Sequence, residues 1–398
     1  MWGPAAGLPP RRAQSALAGA GRFCLWRPGA ATRRAGAAWG LRGFSDSYLQ
    51  PLPYLDFEES FPGESRLGPE PKRYITHRGL ARTLGQLLLR RTRRDALILE
   101  CNPGPGILTQ VLLESGARVV ALESERAFIP HLESLGKDTN GKLDVVHCDF
   151  FKLDPKVCEV IKPPIMISKT LFKSLGIKAL PWSEGIPLKV FGIFPIKHER
   201  KALWKLLYHL YACNSIYRYG RVELNMFIGE REYQRLMATP KSPDTYQVLS
   251  VIGQVACEVK LLHKEPWSSF DVYAQSGKLE KPKNKEISEL MEQNMYFIRL
   301  IPRKNLFTEN LTPINFDIFF HMVRHCFGKP NASLLHHLRA LSPIDSKEIL
   351  RKMKISETKK VNKMSPRDFK QVFERIESME GDGPYKWLYD DSMDDSLV

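Results

Sequence analysis

Residues 96–106 run Ala96-Leu97-Ile98-Leu99-Glu100-Cys101-Asn102-Pro103-Gly104-Pro105-Gly106. A short apolar run closing on an acid reads as a strand buried on both faces, and the Pro/Gly cluster behind it as a tight loop. Ile107 to Ser115 then has helical periodicity, Gly116-Ala117-Arg118 is a turn, and Val119-Val120-Ala121-Leu122-Glu123 is a second buried strand ending in a carboxylate. Leu143-Asp144-Val145-Val146-His147-Cys148-Asp149 is a third strand with the same ending. This β-α-β-α-β order predicts an α/β protein with a doubly wound sheet, whose ligands sit beyond the carboxyl ends of the strands.

The residue types at those ends suit a nucleoside. Gly104 and Gly106 let the backbone approach a ligand closely. An acid closing the second strand, Glu123, can accept from both ribose hydroxyls, and Asp149 can accept from an adenine amino group. The dinucleotide fingerprint G-x-G-x-x-G is not met, because its last position is Thr109. Ordinary strand-end loops are the plain alternative.

The chain has 398 residues, enough for two or three domains, with 43% apolar and 26% charged residues, a globular composition. No apolar run is long enough to span a bilayer. Seven cysteines without a C-x-x-C pair argue against a structural zinc site and a disulfide framework, so no metal is expected. The formal charge of +15 points to an acidic partner, nucleic acid first.

Part of that charge lies in residues 1–44, which carry Arg11, Arg12, Arg22, Arg27, Arg33, Arg34 and Arg42 but no Lys, Asp or Glu. Arg-rich, acid-free and rich in small residues, the segment reads as a mitochondrial transit peptide, with a basic nucleic-acid-binding arm as the alternative. Residues 45–71, with Pro51, Pro53, Pro62, Pro69 and Pro71, read as a flexible linker. Residues 72–94 read as a helix with an apolar stripe of Leu80, Leu84, Leu87 and Leu88 and a basic face that includes Arg78 and Arg82. That face could track phosphates or simply be solvated, and so could Arg218 and Arg221. On 201–211, Leu203, Leu206, Leu207 and Leu210 mark the buried side of a helix and leave Lys201 and Lys205 exposed as further phosphate contacts.

From about Pro302 the pattern is helical. Phe316, Phe319, Phe320, Val323 and Phe327 form a stripe at helical spacing, followed by the breakers Gly328 and Pro330. Arg324 and Lys329 are candidate nucleic-acid contacts beside it. Residues 343–354 and 366–378 read as two more amphipathic helices, Lys278 to Lys285 as a flexible loop, and 381–398 as an acidic tail. The resulting organisation is an α/β domain over 72–303 and a smaller all-helical domain over 304–380.

Leu99 to Thr109 resembles the first motif of the ribosomal RNA adenine dimethyltransferases, enzymes that use S-adenosylmethionine to dimethylate two adjacent adenines in a small-subunit rRNA hairpin. Lys72-Arg73-Tyr74-Ile75 lies where that family has Q-N-F-L, Pro266-Trp267-Ser268-Ser269-Phe270 resembles its P-P-x-x-F segment, and Phe316 to Gly328 resembles the start of its helical domain. The resemblance implies a Rossmann-like S-adenosylmethionine-methyltransferase fold. It implies cofactor contacts at Ile75, Glu100, Asn102, Gly104, Gly106, Glu123 and Asp149.

The active-site motif departs from the family. Where the family has N-L-P-Y, this chain has Ile193-Phe194-Pro195-Ile196. An Asn accepts from the target amino group and a Tyr stacks on the flipped base; neither isoleucine can do either. Phe270 remains as a second aromatic candidate for stacking, or as a core residue. Asn102 replaces the usual first glycine of the cofactor loop, and Lys72-Arg73 replaces Q-N. A cofactor loop without its catalytic tetrad, behind a transit peptide, resembles the branch of the family that serves as mitochondrial transcription initiation factors. That implies a matrix and nucleoid location. It implies the mitochondrial RNA polymerase, transcription factor A and melted promoter DNA as partners, with weak dimethylation of mitochondrial small-subunit (12S) rRNA as the alternative function.

Overall fold

The structure, a computed structural model, describes residues 72–90, 97–137, 139–154, 167–273, 278–280, 294–341 and 345–379. The transit peptide, linker and acidic tail expected from the sequence lie outside them, as do Arg91, Arg93, Arg94 and most of the Lys278 to Lys285 loop.

A seven-stranded sheet forms the frame. Its strands are β2 (Leu97–Cys101), β3 (Arg118–Glu123), β4 (Leu143–His147), β5 (Lys189–Ile193), β6 (Glu223–Gly229), β7 (Cys257–Pro266) and β10 (Asn294–Pro302), in the order β4-β3-β2-β5-β6-β10-β7. The first five are parallel, and β10 runs antiparallel to both β6 and β7. The chain winds outward from β2 to β4, then returns to place β5 on the other side of β2. That reversal makes the carboxyl ends of β2 and β5 a topological switch point, where such sheets open a ligand crevice.

Alternation along the strands divides the apolar core. Leu99, Cys101, Val120, Leu122 and Val190 face one side, and Ile98, Val119, Ala121 and Phe191 the other. Helices α1 (Arg78–Leu89) and α2 (Ile107–Glu114) cover the second face through Leu80, Leu84, Leu88, Leu108 and Leu112. The first face carries α5 (Glu199–Tyr211) and α7 (Val248–Ala256), together with the C-terminal helices α8 (Phe316–Gly328), α9 (Leu334–Leu341), α10 (Ser346–Lys352) and α11 (Pro366–Glu377). Tyr211 of α5 meets the Phe320 ring edge-on at 4.8 Å, so the phenylalanine stripe of α8 is core and continues the core of the sheet.

Three readings change. The helix expected over 72–94 is a strand, β1 (Arg73–Ile75), followed by the shorter α1. β1 pairs antiparallel with β8 (Phe270–Tyr273), setting Tyr74 opposite Asp271. A partner almost two hundred residues away overrides local periodicity, as β-propensity commonly yields to context. The third strand stops at His147, and Asp149 instead caps a short 3₁₀ turn by accepting from the Phe151 amide at 3.1 Å. The helix expected over 343–354 shortens to Ser346–Lys352, capped by Asp345.

Candidate active site

The parallel strands deliver the Cys101–Gly106 loop, Ser124 and Glu125, Asp149 and the Ile193–Ile196 segment to one edge of the sheet. The loop after β2 turns through left-handed backbone at Asn102, Gly104 and Gly106. At Gly104 the reason is proximity as well as conformation: a Cβ there would lie 2.3 Å from the Tyr74 ring. Gly106 opens α2, and a Cβ on it would press on Leu132 and Leu135, so its smallness serves packing.

Glu123 is fully buried. Its Oε2 accepts from the Gly104 amide at 2.8 Å and its Oε1 from the Glu125 amide at 2.7 Å. Burial pushes its carboxyl up to about 7, against the pull of those amides and Lys72. Asp149 is also buried, and its Oδ2 lies 3.3 Å from the Lys72 ammonium. Lys72 also donates to Ser124 Oγ, which donates in turn to Asn102 Oδ1 at 2.7 Å. Tyr74 is buried among these acids, its ring 5.1 Å from that of Phe128. Its hydroxyl has no hydrogen-bond partner among the described residues, and burial together with Glu123, Glu125 and Asp149 holds it protonated.

Glu100 lies beneath the loop, accepting from Thr109 Oγ1 at 2.8 Å, with its carboxyl pushed up to about 8 by burial. Ile75 points into the core under the sheet. Of the cofactor residues expected from the sequence, Asn102, Gly104, Glu123 and Asp149 therefore join one cluster, linked through Lys72, Ser124 and the loop amides, whereas Glu100, Ile75 and Gly106 support it from behind. Sequence reasoning missed Lys72, Ser124, Glu125 and Tyr74. The available signal was a lysine standing where the family has a glutamine.

The other end of the site is apolar. Ile193 and Ile196 are half-buried and pack against the core, and Phe194 is buried with its ring 5.5 Å from that of Phe151. Phe270, a candidate for base stacking, is a core residue: fully buried, with its ring edge-on to Phe227 at 5.0 Å. Its face is taken up by packing. Nearby, the buried Arg73 guanidinium lies 5.1 Å from the Trp267 ring and donates toward the Met295 sulfur at 3.3 Å.

The candidate phosphate contacts divide. Arg82, Arg324 and Lys329 are exposed, Arg78 is exposed and paired with Glu114 at 3.0 Å, and Lys201 is half-buried. Lys205 is a correction: its ammonium donates to the Phe151 and Leu153 carbonyls at 3.1 and 2.6 Å, clamping the chain after Asp149. Arg221 is another, buried and donating to the Trp182, Glu184 and Pro302 carbonyls. A long cation on an otherwise polar helix face looks solvated in sequence; only the fold brings bare carbonyls within its reach.

Residues 81–378 match the family described as ribosomal RNA adenine dimethylase. The chain belongs to that family. Among its relatives, a human protein named "Dimethyladenosine transferase 2, mitochondrial" is 56% identical over 99% of this chain and 100% of its own length. The rat protein of the same name is 57% identical over the full length of both. A solved dimethyladenosine transferase from Plasmodium falciparum superposes with a TM-score of 0.51 at 16% identity, covering 75% of this chain and 95% of that one, a likeness of fold. Membership implies S-adenosylmethionine as cofactor. The paired acids Glu123 and Asp149 fit its adenosine, with hydroxyl acceptors at the first and an amino acceptor at the second. Bound there, the cofactor would supply an electrophilic methyl group.

Proposed function

We propose that this chain acts in the mitochondrial matrix, at the nucleoid, as a transcription initiation factor. It works with the mitochondrial RNA polymerase and transcription factor A to melt promoter DNA and hold the opened strand. The observation that carries this reading is the apolar catalytic corner. Ile193 and Ile196 offer neither an acceptor for a target amine nor a π face, and the nearby Phe270 is locked into the core against Phe227. A methyltransferase without its orienting acceptor would lose several powers of ten in rate. A basic scaffold descended from enzymes that extrude bases still suits an unstacked strand. Arg82, Arg324 and Lys329 supply exposed positive charge for the phosphates. The mitochondrial relatives support the location, as does the Arg-rich, acid-free segment at residues 1–44.

A second reading, weak dimethylation of adjacent adenines in mitochondrial 12S rRNA, is favoured by one feature: Glu123, at the end of β3, and Asp149, just beyond β4, are both retained beside Lys72. Promoter opening decides between the two. Residues 45–398 would be added to mitochondrial RNA polymerase and transcription factor A on a promoter carrying 2-aminopurine at the start site. The expected result is a fluorescence rise that requires this protein and is indifferent to S-adenosylmethionine. No rise, with methyl transfer to an rRNA hairpin instead, would reverse the order of the two readings.

A further inference from the structure

Two of the chain's departures from the family's motifs meet in space. Lys72 stands in the Q-N-F-L position and Asn102 in the glycine position of the cofactor loop; in the fold they are joined through Ser124, which accepts from Lys72 and donates to Asn102 at 2.7 Å. The same ammonium lies 3.3 Å from Asp149 and 3.9 Å from Glu125. Asp149 has its other oxygen on the Phe151 amide at 3.1 Å, so both oxygens of the adenine-reading acid already have partners from the chain itself. Tyr74, two residues along, is buried against Gly104 with an unpartnered hydroxyl. The side chains of Lys72 and Tyr74 thus lie among Gly104, Glu123, Glu125 and Asp149, the groups an adenosine would use.

We propose that Lys72 is a built-in counter-ion that latches the adenosine pocket shut, making it the residue that sets how tightly this chain binds S-adenosylmethionine. The physical cost is specific. An entering adenine amino group must take Asp149 from a primary ammonium, exchanging a contact between two opposite charges for a hydrogen bond from an uncharged donor. The ammonium must then find water or another acid. Ser124 and Asn102 hold it in place. Glutamine at this position has no charge to give Asp149 and leaves the acid free to accept. The inference stands apart from the promoter reading, since it concerns access to one pocket whatever the protein does with nucleic acid.

Calorimetric titration with S-adenosylhomocysteine tests it on the full chain, comparing the wild type with Lys72→Gln, Lys72→Arg and a distant control, Lys241→Gln. Lys72→Gln is expected to bind at least tenfold more tightly than the wild type; Lys72→Arg and the control should stay within twofold of it. Equal or weaker binding by Lys72→Gln, or no binding by any variant, would overturn the latch. An amine-labelling footprint of the wild-type protein guards against misfolded variants. Lys72 should label slowly in the free protein and faster with saturating S-adenosylhomocysteine, whereas unchanged or slower labelling would show that it does not leave the pocket.

Discussion

Glu123 and Gly104 hold one another: the carboxylate closing the second strand accepts from the amide at the apex of the cofactor loop across 2.8 Å. The acid thus shapes the loop as well as facing a ligand. Its second oxygen does the same for the amide of Glu125. Glu123→Ala would orphan two donors, one buried and one half-buried, at about 1–3 kcal/mol each. Urea unfolding should show a loss on the order of 3 kcal/mol, with adenosine-ligand binding lost alongside. A variant of unchanged stability would mean that water replaces the carboxylate without cost.

Gly104→Ala should be costly twice over. The backbone is left-handed there, and the new methyl would lie 2.3 Å from the Tyr74 ring. A loss of roughly 2–4 kcal/mol in urea unfolding is expected, combining overpacking with backbone strain. Trimming the ring in the double variant Gly104→Ala, Tyr74→Ala should relieve the steric part, so the two substitutions should cost less together than the sum of each alone.

Glu100 makes stability depend on pH in an unusual direction. Its folded-state carboxyl is raised to about 8 by burial, against ~4.3 for an unfolded glutamate. The folded chain therefore holds a proton that the unfolded chain releases. The stabilisation is complete below the unfolded value and is lost as pH climbs through about 8. Glu100→Gln keeps the acceptor for Thr109 but cannot ionise. Relative to wild type it should gain on the order of 3 kcal/mol between pH 5 and pH 8, read from paired urea titrations. A flat difference would indicate that the group is already ionised in the folded protein.

Lys205 and Arg82 should part company in nucleic-acid binding. Lys205→Met removes two bonds to backbone carbonyls. It should lower stability by roughly 1–3 kcal/mol and leave affinity for single-stranded DNA unchanged. Arg82→Ala, on the exposed face of α1, should keep stability within about 0.5 kcal/mol. If Arg82 neutralises a phosphate, the salt slope of binding should fall by about 0.7 for a single strand. Fluorescence anisotropy at several salt concentrations distinguishes the two.

Restoring Ile193→Asn and Ile196→Tyr should raise methyl transfer to an rRNA hairpin only modestly, because the cofactor pocket remains latched. Adding Lys72→Gln to that pair should raise it by a further tenfold or more, measured with tritiated S-adenosylmethionine at subsaturating concentration. An equal rate with and without Lys72→Gln would separate the two ends of the site.

Much of the frame was legible because it is periodic. Ala96 to Asp149 declares two buried strands, a third strand and the helix after the first through runs and repeats that depend only on near neighbours, and the parallel order follows from the winding rules. Glu123 could be placed at a strand end for the same reason, whereas Asp149 proved to cap the turn just beyond its strand. The family motif could be compared position by position, so the loss of Asn and Tyr at 193 and 196 was visible without coordinates.

Other features depend on partners far apart in the chain. Arg73–Ile75 is a strand because Phe270–Val272 lies beside it. Lys205 and Arg221 are structural because folding brings unsatisfied carbonyls to them. Phe270 is core because Phe227 meets its edge. Lys72 lies in the pocket because β1 delivers it to Asp149, 77 residues away in the numbering. A side chain's type records what it can bond to. Burial and geometry, which are non-local, determine what it does bond to.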